Sequence, residues 1–264
     1  IYQMVAQSNP YVTIWVTDTD GNLWGLNYVA EQQVNSWFQV TTDGDYESLM
    51  LMPQEDVDDL LFYTVKRTIG GETKRYIEYF TPLTSADSLS HFTSENAVSK
   101  ITGLGYLEGK EVWCYAKIED PESEDWLRNE DGTAYKFTVV GGEININDWG
   151  ETKDAYVGLP YTATAKTMNW YGGINDTSYE SKRRLTKVTA TLLNARSGEV
   201  GVQVEEDGTP EYVNLFDSLL DVDNKFTGIK EYTLCPGTGR IIKICLRQQE
   251  PDPITITGVG CNLK

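Results

Sequence analysis

His91 is the only histidine in the 264-residue chain, so a Ser/His/Asp or Cys/His relay would have to pass through it. It stands in "LTSADSLSHFTSENAVSK", residues 83–100, a Ser-rich stretch with no nucleophile motif beside it. A triad is recognised by geometry that no spacing here supports. The stretch lacks strand alternation and reads as a linker with a short helical turn, with His91 on its surface. Cys114, Cys235, Cys245 and Cys261 are scattered without a C-x-x-C pair, and a zinc site wants clustered thiolates or imidazoles. Cys235 and Cys245 flank a Pro-Gly turn and could face each other across a hairpin. Free buried thiols fit a chain made in the cytoplasm better.

The carboxylates offer weaker signals. Asp18, Asp20 and Asn22 begin like a calcium loop, but that loop needs Gly sixth and Glu twelfth; here Gly21 is fourth and Val29 is twelfth. A hairpin turn is the simpler reading. Glu55, Asp56, Asp58 and Asp59 form one acidic cluster, and Glu205, Glu206 and Asp207 another. A glycosidase sets two carboxyls across a cleft, yet 40 acidic residues guarantee accidental pairs. Gly103, Gly105 and Gly109 have the wrong spacing for a dinucleotide loop, and "PGTGR" (236–240) lacks the Lys and the length of a phosphate loop. Both read as turns. Asn175-Asp176-Thr177 matches a glycosylation sequon, which means little without a secretion signal. Trp15, Trp24 and Trp37 could stack on sugars but lie in strand-like segments, where core or interface placement is ordinary. No catalytic, cofactor or metal residue is assigned, and the chain is expected not to be an enzyme.

Positioning elements are plainly strands. "YVTIWVT" alternates Val12, Ile14 and Val16 against Tyr11, Thr13, Trp15 and Thr17, the period-two pattern of a half-buried strand. Turns are expected at Asp20-Gly21, Asp43-Gly44 and Gly70-Gly71, making the first 80 residues a meander of about six strands. A compact segment runs from Ile101 to about Gly158, with a hairpin at Gly141-Gly142 and an exposed acidic loop over 119–131. Strands resume after that. Thr186, Val188, Ala190 and Leu192 share one face, as do Ile242, Ile244 and Leu246; residues 211–222 make the one plausible helix.

Charge bounds the partners. Forty acidic against 22 basic residues give a net charge of -18. Such a surface repels polyphosphate, so a nucleic-acid grip is unfavourable, while a surface that lets nucleic acid slide past is compatible. Acidic charge also simply aids solubility. No apolar run reaches the ~18 residues of a membrane helix. The chain begins with Ile1 and reads as a piece of something longer.

Several segments resemble the C-terminal region of bacteriophage tail nozzle proteins, the tail tubular protein B family of short-tailed phages. They are Ser8-Asn9-Pro10; Asp20-Gly21-Asn22-Leu23; Leu26-Asn27-Tyr28; Glu31-Gln32-Gln33-Val34; Trp37; and Asp43-Gly44. "KRTIGGETKRYIEYFTP" looks like the family's next stretch, at Arg67, Ile69, Gly71, Arg75, Tyr76, Ile77 and Glu78. "ITGLGYLEGKEVWCYA" with "VVGGEI" is similar to the small β-barrel insertion likened to the FCCH domain of ubiquitin-activating enzymes. "AYVGLPYTATAKTM", "KRRLTKVTATLLNARSG" and "ICLRQQEPDPITITGV" match what usually follows. The acidic loop at 119–131 and residues 199–230 depart from the pattern. The resemblance implies an all-β chain. Residues 1–100 would be a propeller-blade-like antiparallel meander with the linker, 101–158 the small barrel insertion, and 159–264 a β-sandwich-like region packing with the first. It also implies a structural tail protein of the virion, assembled in the host cytoplasm. The protein would be a homo-oligomer, a hexameric ring in the family, meeting adaptor and fibre proteins while genomic DNA passes without specific binding. A tail module that docks host glycans is the alternative, and a tail-associated hydrolase has little support.

Overall fold

The computed structural model describes residues 1–29, 31, 34–54, 57–80, 85–119, 122–169, 182–217, 225–234 and 236–263. Among these residues the chain is nearly all strand, with several antiparallel sheets, no α-helix and no closed barrel. The all-β expectation therefore holds.

The first sheet is a meander of β1 (Gln3–Gln7), β2 (Thr13–Thr17), β3 (Leu23–Val29) and β4 (Val34–Val40). The second is β5 (Asp45–Met52), β6 (Leu60–Ile69) and β7 (Glu72–Phe80). Asp20-Gly21 and Gly70-Gly71 make the expected hairpins, each glycine in the left-handed region that a side chain disfavours. Asp43-Gly44 does not make one. It carries the chain from β4 in one sheet to β5 in the other, past the Lys66 carbonyl, which lies 2.6 Å from where a Gly44 Cβ would sit. The two sheets enclose one core. Trp15, Leu23 and Phe38 from the first meet Tyr46, Leu49, Leu61, Tyr63 and Val65 from the second. Gln3 sews the corner, donating to the Leu49 carbonyl at 2.5 Å and accepting its amide at 2.7 Å.

The middle unit contains β8 (Asp87–Val98), β9 (Lys100–Ile101), a 3-10 turn at Gly105–Leu107, β10 (Glu111–Glu119), β11 (Glu122–Trp126), β12 (Phe137–Thr138), β13 (Ile144–Asn145) and β14 (Thr152–Leu159). Its sheet runs β11-β10-β14-β8, with β12 on β10 and a separate β9-β13 ladder. These wrap a core of Ile101, Leu104, Leu107, Val112, Val139 and Ile146 as open sheets instead of the barrel expected for 101–158. The Gly141-Gly142 turn is as expected, both residues at positive φ. Two other expectations fail. The supposed linker is the 12-residue strand β8, whose Ser-rich alternation is blurred by two irregularities in its register with β14. The supposed acidic loop contains β11, hydrogen-bonded along β10 at the sheet edge, where charged side chains are tolerated.

The last unit is the expected sandwich. β15 (Ala163–Lys166), β21 (Ile242–Gln248), β17 (Glu199–Val204) and β18 (Glu211–Asn214) form one sheet. β16 (Arg183–Ala195) pairs with β19 (Phe226–Tyr232), β20 (Thr238–Gly239) and β22 (Thr255–Leu263) in the other. Val188, Ala190, Leu192, Val200, Val202, Ile242 and Ile244 are buried between them. Leu185 joins this face and Thr186 leaves it, because the β16–β22 register shifts between Leu185 and Lys187. The helix expected over 211–222 is not formed over its described part. Tyr212 and Val213 pair with Gly201 and Val200, and Leu215 and Phe216 enter the core. Its remaining positions from 218 onward lie outside the described residues.

Candidate interaction surfaces

The residues that could do chemistry lie on strands and turns where they are described. His91 lies on β8, its Nε2 2.6 Å from an Asp154 oxygen and its ring stacked on Tyr156 at 4.3 Å. Asp18 receives the amides of Asp20 and Asn22 at 2.9 Å each and so pins the β2–β3 turn. The Asn22 amide, foremost, holds that carboxyl down at about 2. Asp59 accepts the Ser8 and Asn9 amides at 3.0 and 3.1 Å, and the Ser8 amide first among them lowers its pKa. Glu55 and Asp56 lie outside the described residues. Glu206 pairs with Lys243 at 2.8 Å. Cys114 and Cys245 are buried and Cys261 half-buried, all as free thiols, and burial pushes each thiol up, away from reactivity. Cys235 and the Asn175 sequon lie outside the described residues. Among the described residues no three His, Cys, Asp or Glu side chains gather as metal ligands, and no helix is long and apolar enough to cross a membrane.

Open depressions are found among the described residues. One, about 620 Å³, holds Asp18, Asp20, Asp45, Glu47 and Lys66. Three of its carboxylates are occupied: Asp18 by its turn, Asp45 by Lys66 at 3.2 Å, and Glu47 by Arg75 at 2.7 Å. Another, about 360 Å³, lies where the first and middle units meet, beside the Lys110–Asp43 pair at 2.6 Å.

Buried ion pairs lie instead in two joints between units. Arg67, 2 % exposed, grips the Glu78 carboxylate at 3.0 Å and donates to the Asp43 carbonyl at 2.8 Å. Ser88 of β8 donates to Glu78 at 3.0 Å, and Thr42 donates to Asp87 at 2.7 Å. These bonds fasten the start of β8 to the first unit. The second joint binds the middle unit to the last. Arg196 forks onto Asp125 at 2.9 and 2.6 Å, and Arg128 reaches Asp252 at 2.7 Å. The Asp252 side chain has no exposed surface, and Arg196 also stands 3.3 Å from it. Glu250 accepts the Ala134 amide at 2.7 Å. Burial raises Asp125, but the Arg196 hydrogen bonds with the charges of Arg128 and Arg196 overcome it, and the net shift is downward. Burial raises Glu250, and the Ala134 amide does not fully offset it. The sequence named Arg67 and Glu78 only as family-like positions and gave none of these residues a part in a joint. Arg67 carried a signal: on β6 it shares the inward parity of Leu61, Tyr63, Val65 and Ile69.

Three surface features remain. On β1–β4 the outward positions read Met4, Val16, Trp24 and Gln39 in one row and Ala6, Ile14, Leu26 and Trp37 in the next, with Val16 itself buried under its neighbours. Tyr28 and Asn35 continue the face. Not one is charged. Met4 is 61 % and Trp37 58 % exposed. On β5–β7 the outward positions place Met50, Phe62 and Tyr79 in register, flanked by Met52 and Leu60 on one side and by Ser48, Thr64 and Ile77 on the other. Ile77 is 80 % and Met50 58 % exposed. The charges at the far end of this face, Lys66 with Asp45 and Arg75 with Glu47, are paired. Finally, His91, Tyr156, Tyr115 and Trp126 stand in register across β8, β14, β10 and β11, with Tyr115 donating to Glu124 at 3.3 Å. Burial foremost, then the Glu124 charge, pushes Tyr115 up to about 12. The chain matches no protein-family model and no curated protein.

Proposed function

We propose that the chain is a structural wall element of a short-tailed phage, in the nozzle or hub, and forms part of the conduit through which the genome leaves the particle. The observation that carries this reading is a contrast. A body of net charge -18 presents two sheet faces whose strand positions carry no unpaired charge. Acidic ground repels phosphates, and apolar ground of this kind is covered by protein. The family-like segments, in the family's order, support the same reading, as do joints that lock three β units together. The partners are copies of the chain in a ring, six by the resemblance, with adaptor and fibre proteins at its ends. DNA passes without being held. The protein acts in the virion after assembly in the host cytoplasm, and acts without turnover. Negative-stain images of the chain in its longest natural form are expected to show rings. Short duplex DNA is expected to run unretarded beside it at about 50 mM salt. Firm duplex binding, or a ring whose lumen is neutral or basic, overturns the reading.

The four-strand aromatic row favours a second reading, a module that docks host glycans, because aromatic rings beside free carboxylate oxygens suit sugar C–H faces and hydroxyls. Asp154 and Glu124 supply those oxygens. Glycan-array binding lost in Trp126→Ala supports this alternative; an array blank for the native chain removes it.

A further inference from the structure

We infer that the outward face of β1–β4, centred on Trp37, docks head to tail on the outward face of β5–β7, centred on Ile77, of a second copy of this chain. The inference rests on the wall reading and names the surface that assembles the wall.

Three observations fix the occupant. The two sheets share one core, so their outer faces point away from each other on opposite sides of one sandwich. A self-complementary pair would use one face twice and leave the other bare. Two different apolar faces on opposite sides are both covered only by a heterologous contact, in which each copy gives one face and receives on the other. The second observation is charge. A basic partner would be met by acidic residues, which this chain has in excess. At the Trp37 face the strand positions carry no charge, and the Asp18 carboxylate at the end of the row is held by the Asp20 and Asn22 amides and the Trp24 indole; at the Ile77 face Lys66 and Arg75 are neutralised by Asp45 and Glu47. Contact free of net charge is what two particles of -18 need in order to approach. The third is size. Strand spacing and rise give the Trp37 face a footprint of roughly 300 Å², the scale of apolar patch that marks an interaction site on a monomer. One such joint is weaker than a standard interface, so it is held by repetition, each copy contributing two.

The test is complementation between variants of the intact chain. One variant carries Met4→Glu and Trp37→Glu, the other Met50→Glu and Ile77→Glu. All four side chains are exposed, so near-native circular dichroism and melting are expected of both. Sedimentation velocity is run from about 1 µM to about 500 µM, the range that brackets micromolar joints. The native chain is expected to grow into assemblies. Each variant alone is expected to stay monomeric to at least tenfold higher concentration. An equimolar mixture of the two is expected to stop at pairs, since only one intact Trp37 face then meets one intact Ile77 face. A variant that still dimerises alone shows an isologous contact and overturns the inference. Variants that assemble like the native chain show that another surface does the work; the inference falls and the wall reading stands. A native chain that remains monomeric throughout also overturns the inference, and the absence of rings in electron microscopy then decides the wall reading separately.

Discussion

Arg67 shows what a single residue reveals in advance. Its parity on β6 places it among inward apolar side chains, and a buried guanidinium requires a carboxylate partner, so its burial was readable while its partners were not. Arg128 and Asp252 are 124 positions apart, and nothing local in either segment announces their contact. Removing one member of this joint leaves buried charge uncompensated. Asp252→Asn is expected to destabilise the protein by about 3 kcal/mol in denaturant melts. Acid acts on the same joint. The Asp125 pKa is lowered in the folded state, so its contribution is complete above the unfolded value and is lost as pH falls through the folded one. Glu250 is raised, so it works in the opposite sense and favours the fold on acidification. The melting temperature of Asp125→Asn is therefore expected to fall less than that of the native chain between about pH 5 and about pH 3. Equal slopes would show that Asp125 is not the acid-sensitive member. Gly25 carries a steric prediction. A Cβ there would lie 2.2 Å from the Phe38 ring, which packs edge-on against Trp15. Gly25→Ala is expected to cost about 1–3 kcal/mol, the usual range for overpacking a core.

Strands were legible where alternation is clean and short turns bound it, as in β2, β3, β6, β7 and β21. Alternation says that a strand has two faces and leaves open which one is inside. On β2 Thr13, Trp15 and Thr17 face the core, whereas Ile14 on the other side is half-buried and its neighbour Val16 is buried. That inversion exposes branched and aromatic residues, and it is why the candidate surface could not be assigned from the sequence. The helix expected near residue 215 failed for a related reason, because Leu215 and Phe216 satisfy the sandwich core directly after β18. β8 was hidden by its composition: Ser and Thr bond well in a ladder but give no apolar period. Native-state hydrogen exchange checks the element scale. The inner strands β10, β14 and β16 are expected to be the most protected, and the edge strands β11 and β15 to exchange early. Early exchange along β14 would contradict the sheet order.

The molecule as a whole joins three β cores through arginine-centred joints, and composition and alternation alone anticipated only the acidity and the strands. The order of the units follows from chain order, but the joints bring together segments that are remote in sequence, and no periodicity encodes them. Since the joints are ionic and partly buried, salt is expected to weaken them less than it weakens exposed pairs such as Lys100–Glu143. A melting temperature that changes little between about 0.05 and about 0.5 M salt is the expected result. β8 carries a mechanical consequence. Its first residues are fastened to the first unit, and its length is zipped along β14. Tension between those units enters the strand at one end and pulls along it, so the ladder bonds share the load in shear instead of parting one after another. Two units stitched this way would stretch little before the ladder tore.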